Sequence, residues 1–168
     1  MTEDKPLLAV GYILLGLILL LHAGKAEALD YDGERFCLAQ NIYFESGNQS
    51  FAGKLAVGDV VMNRVEDPQF PNSVCEVIYQ AKTFVNWKGN IMPIRNQCQF
   101  SWYCDGKSDE PKDSVTWLES IRVADLILRG DFEDITEGSL WYHADYVRPN
   151  WADNLEEVVV IDNHIFYK

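Results

Sequence analysis

The chain has 168 residues, of which 48% are apolar, 24% charged and 12% aromatic. That is enough for one compact domain with a sizeable core, and it excludes wholesale disorder. Fourteen Lys and Arg against 26 Asp and Glu give a formal charge of −12, which argues against a nucleic-acid-binding protein and disfavours binding to an anionic membrane surface.

From Leu7 to Leu21 the run LLAVGYILLGLILLL carries no charge, as a secretory h-region or a short membrane anchor does. Ala26-Glu27-Ala28 follows as an A-x-A cleavage pattern. Residues 1–28 are therefore expected to be a signal peptide or anchor, and residues 29–168 an exported domain. Glu3 and Asp4 depart from the usual basic n-region, which keeps a buried N-terminal helix as a third reading. Membrane association is expected only through residues 7–23, if these are retained. Without residues 1–28 the chain keeps 12 basic and 23 acidic side chains, a net of −11.

All four cysteines lie in the exported part, and an even count outside the cytosol reads as disulfides. Cys98 and Cys104 are six positions apart around a turn and are expected to pair, which leaves Cys37 with Cys75. Zinc is the rival reading, but C-x-x-C and H-E-x-x-H are absent and two histidines, His143 and His164, follow residue 28. No metal and no cofactor is expected.

In chain order, Glu34 to Phe44 is apolar almost all round and predicts a buried central helix, ended by Ser46-Gly47-Asn48. Ser50 to Val65 predicts a second helix with two stripes, Phe51, Leu55, Gly58, Met62 and Val65 on one, and Ala52, Ala56, Asp59 and Asn63 on the other. Ser73-Val74-Cys75-Glu76 is a capping box that opens a short third helix through Ala81. Residues 82–112 read as irregular, which inside a compact domain usually means function. Asp113 caps a fourth helix with Leu118, Ile121, Ala124 or Asp125, and Leu128 at helical spacing, up to Gly130. Val158 to Ile161 and Ile165 to Tyr167, joined by Asp162-Asn163-His164, predict a small hairpin.

Glu45 stands out chemically. It ends a helix too apolar to be exposed, where desolvation and the negative end of the helix dipole both raise a carboxyl pKa. A carboxylic acid kept protonated near neutrality can donate a proton to a glycosidic oxygen. The plainer reading is an ordinary exposed Glu, or one paired with Arg64 or Arg35. The run Gln97 to Tyr103 joins amides with aromatic faces, as saccharide sites do. Trp141 to Tyr146, followed by Val147 to Trp151, is a second such run. Disulfide-held loop and core packing are the corresponding plain readings.

Taken together, Asn41-Ile42-Tyr43-Phe44-Glu45, Gly53 to Val57 leading to Val60-Val61-Met62-Asn63-Arg64-Val65, Phe70 to Val77, Gln99-Phe100-Ser101, Tyr142-His143-Ala144, Pro149-Asn150-Trp151-Ala152 and His164 to Tyr167 resemble the SleB-type cell-wall hydrolases, the catalytic domains related to spore-cortex-lytic enzymes. The resemblance runs from Phe36 to Tyr167. It implies a mainly helical, lysozyme-like or lytic-transglycosylase-like α+β fold with a small C-terminal β-hairpin, acting on peptidoglycan glycan strands with Glu45 as catalytic acid. In this family the run commonly continues Glu-Ala-Arg-Gly-Glu. Here it is Glu45-Ser46-Gly47-Asn48-Gln49, so a neutral Gln49 replaces the second acid and the Arg is missing.

The expectation is cleavage between N-acetylmuramic acid and N-acetylglucosamine by a monomeric lytic transglycosylase with a single carboxylate. Asn63, Gln99, Ser101, Tyr142, His143 and Trp151 are the candidates for holding substrate. A hydrolytic variant needs a second acid, for which Asp59 and Asp105 are the candidates. An N-acetylmuramoyl-L-alanine amidase and a non-catalytic peptidoglycan-binding protein are the alternatives from other classes.

Overall fold

A computed structural model describes residues 31–168; the expected signal or anchor, residues 1–28, lies outside the described residues. Helix α1 is described over residues 31–46 and turns through Gly47 into α2, Phe51–Glu66. The Ser50 hydroxyl accepts from Gly53 N and caps α2, supplying a partner for one of the donors every helix start leaves unpaired. Helix α3, Val74–Ile78, is capped in the same way by Ser73, and α4, Ser114–Leu128, by the Asp113 carboxylate, which accepts from Thr116 N.

Helix α2 is the hub. Its residues from Gly53 to Val61 are all buried, because helices pack on one side of it and a sheet on the other. On the helical side Leu38 and Ile42 of α1, Leu55 and Val61 of α2, Val77 and Ile78 of α3, and Val123, Ala124 and Ile127 of α4 form the main core. Gly58 makes this approach possible, since a Cβ there would stand 2.3 Å from the Ile127 Cδ1 atom. On the other side Ala56 and Val60 meet Phe166, which is fully buried.

That sheet has three antiparallel strands, β3 (Trp141–Ala144), β4 (Glu157–Ile161) and β5 (His164–Tyr167), in the order β3-β5-β4. The predicted C-terminal hairpin is its β4–β5 half. The additional strand is the aromatic run beginning at Trp141, whose alternation places Tyr142 opposite Phe166 and His143 opposite Ile165. The turn between β4 and β5 uses Asp162 at φ +50, and its carboxylate accepts from Ser50 N at 2.9 Å, tying the sheet to the start of α2.

Three expectations need correction. Residues 82–112 are not irregular throughout: β1 (Ala81–Val85) and β2 (Ile91–Cys98) form an antiparallel ribbon, followed by a 3-10 turn at Ser101–Cys104. The third helix accordingly ends at Ile78, because Ala81 already pairs with Cys98. The Asn86 carboxamide accepts from Lys88 N and Asn90 N, and Gly89 takes φ +82, which closes the ribbon's turn. Pro93 hides the strand in the sequence, yet it is tolerated because each strand of a two-stranded ribbon is an edge strand.

The predicted stripes also shift. Phe51 and Leu118 are exposed, and α4 instead buries Ser120, Val123, Ala124 and Ile127. In α1 the exception is Phe36, half exposed and edge-on to Trp117. Two disulfides are present. Cys37–Cys75 joins α1 to α3 with Cα atoms 5.3 Å apart, and Cys98–Cys104 ties the end of β2 to the 3-10 turn with Cα atoms 6.2 Å apart. No helix among the described residues is long and apolar enough to cross a membrane.

Candidate active site

Glu45 lies in the last turn of α1, next to the fully buried Ser46, whose hydroxyl donates to Ile42 O. One turn earlier the Asn41 carboxamide oxygen accepts from Trp102 Nε1 at 3.0 Å, and the Trp102 ring stacks on Phe44 with centroids 4.9 Å apart. The end of α1 is thus packed against the 3-10 turn by an aromatic pair and a buried hydrogen bond. Its last carboxylate is held in position at a half-buried residue.

The Glu45 carboxylate has one hydrogen-bond donor among the described residues. Tyr142 Oη donates to Glu45 Oε2 at 3.1 Å, across 97 positions of sequence. Strand alternation on β3 puts this hydroxyl on the face that meets α1 and α2. Burial pushes the Glu45 carboxyl above the usual carboxylate range, while the Tyr142 hydrogen bond and the positive charge of Arg64 pull it part of the way back. Burial and the neighbouring Glu45 hold the Tyr142 phenol well above its ordinary value, so it remains a neutral donor.

Arg64 is the functional neighbour that sequence reasoning passed over except as a possible ion-pair partner. It is buried, its Nε donates to Leu140 O at 2.8 Å, and Nη1 has no hydrogen-bond partner among the described residues. Phe70 and Phe100 place their rings 5.1 and 5.3 Å from the guanidinium carbon, a cation–π arrangement that compensates part of the desolvation. The charge acts on Glu45 without an ion pair between them. Its signal in the sequence was a cation one turn after Val60 and Val61 and beside Val65, on the buried side of α2.

The other predicted residues separate into three places. Asn63 Nδ2 points to Asp134 Oδ2, Thr136 Oγ1 and Ser139 O, at 3.1 to 3.2 Å, and holds the segment that leads into β3. His143 faces away from Tyr142: its Nε2 lies 3.0 Å from Tyr167 Oη, and the edge of Trp151 meets its ring at 5.6 Å. Gln99 and Ser101 are exposed at the base of the β1–β2 ribbon, on either side of the buried Phe100. Gln99 also lines a groove of about 460 Å³ with Gln80, Ala81, Lys82, Gln97 and Cys98. The structure therefore joins Tyr142 to Glu45 and Trp151 to His143, and sets the remaining three apart.

A second perturbed acid lies elsewhere on α2. Asp59 accepts from Ile135 N at 3.1 Å, and burial together with neighbouring Asp134 pushes it up to about 7, against that hydrogen bond. Burial also pushes Asp134 upward, but the Thr136 hydroxyl, Thr136 N and Gly138 N hold its carboxylate below the usual range. Of the two carboxyls, Asp59 is therefore the one that holds a proton to higher pH. Asp105 is partly buried and accepts from Lys107 N. Among the described residues no group of three or more His, Cys, Asp and Glu is arranged to hold a metal ion.

Comparison with known proteins gives this arrangement a context. A family model described as Cell Wall Hydrolase matches residues 48–167, a span that starts just after Glu45. The spore cortex-lytic enzyme of Bacillus subtilis (strain 168) is 40% identical over 47 residues, 28% of this chain and 15% of that protein's length. A crystal structure of the catalytic domain of the Bacillus cereus SleB protein superimposes with a TM-score of 0.58 at 22% identity, covering 82% of this chain and 91% of that one. The catalytic domain of the germination-specific lytic transglycosylase SleB from Bacillus anthracis gives the same TM-score at 23% identity, covering 80% and 93%. These likenesses establish the fold.

Proposed function

The chain belongs to the Cell Wall Hydrolase family, and from that premise we propose that it cleaves peptidoglycan glycan strands between N-acetylmuramic acid and N-acetylglucosamine, outside the cytoplasm, with Glu45 as its acid. The observation that carries this reading is the Glu45 carboxyl: raised by burial, hydrogen-bonded through Oε2 to a phenol that stays neutral, and faced by one buried cation. Such a group is poised to give up a proton and to be stabilised as the anion it becomes.

In the proposed reaction the proton on Glu45 passes to the glycosidic oxygen as the bond from C1 to that oxygen breaks. The electron pair leaves with the oxygen, and an oxocarbenium-like centre remains on the muramyl ring. Glu45, now a carboxylate held by Tyr142 and the Arg64 charge, takes the proton of the muramyl C6 hydroxyl as O6 closes on C1. The acid is regenerated and a 1,6-anhydro product leaves. Tyr142 thus serves as a partner of Glu45 itself.

Support for this lyase outcome over hydrolysis comes from the neighbours of Glu45. A hydrolase of either stereochemistry uses a second carboxylate about 5 to 9.5 Å away. The side chain in contact with the Glu45 carboxylate is the Tyr142 phenol, which is not an acid at neutral pH. Asp59 and Asp105, the earlier candidates, are engaged with Ile135 and Lys107. Gln49 accordingly takes no acid role here, and its carboxamide donates to Asn48 Oδ1.

Digestion of purified sacculi followed by mass spectrometry is the test. Anhydromuropeptides are expected. New reducing ends would mean a hydrolase, free stem peptides an amidase, and no product a binding protein.

A further inference from the structure

The β1–β2 ribbon is unlike the rest of the molecule in both charge and exposure. From Val77 to Cys104 there is no Asp or Glu, while Lys82, Lys88 and Arg95 fall within it, in a chain that carries 26 acids and a net charge of −12. The ribbon also displays its apolar side chains to solvent. Phe84 is 50% exposed, Val85 67%, Ile91 71% and Trp87, in the turn, 89%.

These side chains occupy both faces. Phe84 is paired with Met92, and Val85 with Ile91, so the two pairs point to opposite sides of the pleat. A groove on a folded partner would bury one such face and leave the other wet. A soft interface that surrounds the tip covers both. Lys88 places Nζ 4.8 Å from the centre of the Trp87 ring, which puts an indole and an ammonium together at the outermost turn. Indole rings favour the headgroup level of a bilayer, and lysine stems lie along apolar surface while their charges reach phosphate.

The base of the ribbon is suited to support a protruding tip. Ala81 pairs with Cys98, whose disulfide to Cys104 joins the ribbon to the 3-10 turn, and Phe100 and Trp102 in and beside that turn are buried in the main core. The whole-chain charge that argues against an anionic surface is therefore unevenly spread. A basic, apolar tip on an acidic body is drawn to an anionic layer tip first, with the body repelled from it.

We propose that the turn of the β1–β2 ribbon, Phe84 to Met92, docks into the headgroup layer of an anionic lipid bilayer, with Trp87 at the interface and Lys82 and Lys88 facing lipid phosphates. This contact is separate from any made by residues 7–23 and independent of the chemistry at Glu45.

The experiment uses the full chain and its Trp87→Phe variant, so that their difference isolates the Trp87 emission. Vesicles of phosphatidylcholine with 30% phosphatidylglycerol, carrying brominated acyl chains, are compared with vesicles of phosphatidylcholine alone. On the anionic vesicles the Trp87 emission shifts to the blue, is quenched by bromine and becomes shielded from acrylamide; on the neutral ones it does not. The double variant Lys82→Glu and Lys88→Glu lowers the Trp87 partition constant by about thirtyfold or more, and rising salt weakens the wild-type contact in the same direction. Its melting temperature and glycan digestion, unchanged, confirm that the fold is intact. Trp87 still open to acrylamide on anionic vesicles overturns the proposal. So does shielding that grows with protein concentration in the absence of lipid, which would mean a second copy, or shielding that requires sacculi, which would mean a glycan platform.

Discussion

Tyr142 donates its hydroxyl proton to Glu45 Oε2 at 3.1 Å, and this one contact joins the end of the first helix to the first strand of the sheet. Glu45→Gln keeps the acceptor oxygen and the volume but removes the proton. Cleavage of purified peptidoglycan should fall by roughly 10² to 10⁴-fold, as loss of acid–base catalysis does. Because the folded state raises this carboxyl, its neutral form is the favoured one: the contribution to stability is complete below the unfolded pKa and is lost as pH rises through the folded value. The amide should therefore melt at or above the wild-type temperature at neutral pH. A variant with near-normal turnover would remove Glu45 from the mechanism.

Tyr142→Phe tests the partner. The hydrogen bond lowers the Glu45 pKa, so its removal raises that pKa further and moves the alkaline limb of the pH–rate profile upward. Turnover at the optimum should drop about 10- to 100-fold, since the developing carboxylate loses a charge-assisted hydrogen bond. An unchanged limb with reduced turnover would assign Tyr142 to substrate instead.

Asp59 makes a pH-dependent prediction away from the reaction. Its folded value of about 7 exceeds that of the unfolded chain, so the stability it contributes is complete below about pH 4 and is lost progressively as pH rises through about 7. Asp59→Asn retains an oxygen for Ile135 N and cannot ionise. Melting curves of the two proteins should diverge between about pH 4 and pH 7, with the difference level above that and the variant the more stable at pH 8. Parallel curves would show that Asp59 ionises freely.

The two disulfides should differ in weight. Cys37–Cys75 closes a separation of 38 residues and Cys98–Cys104 one of 6, which on a loop-entropy account correspond to about 4 and about 2 kcal/mol. Denaturant unfolding of the paired Cys→Ala variants measures both. Equal losses would mean that strain or residual structure outweighs loop length.

The helices were legible because their signals are local. Ser50, Ser73 and Asp113 act as the caps their positions announce, and Gly130 ends α4 in the left-handed region at φ +70. Glu45 was legible as well, since an acid ending an apolar helix is conspicuous without any tertiary information. The ribbon was hidden by Pro93 and by a large register shift between Ala81 and Thr83, which breaks the alternation that would have revealed a strand. Asn63 and His143 show the remaining limit. Neither spacing nor residue type states which way a side chain faces, and here Asn63 turns to Asp134 and Ser139 while His143 turns to Tyr167.

Strand β5 occupies the middle of its sheet although it comes after both of its neighbours in the chain. Leu140 N binds Tyr167 O, and Trp141 lies opposite Tyr167, so Tyr142 has no fixed place until residues 164–167 arrive. A ribosome releasing this chain from its N-terminal end therefore delivers Glu45 long before it delivers the scaffold that holds its partner. Every shorter nascent chain carries Glu45 without the strand pairing that places Tyr142 beside it. The order of the strands thus leaves the contact between Glu45 and Tyr142 to be completed by residues at the far end of the described chain.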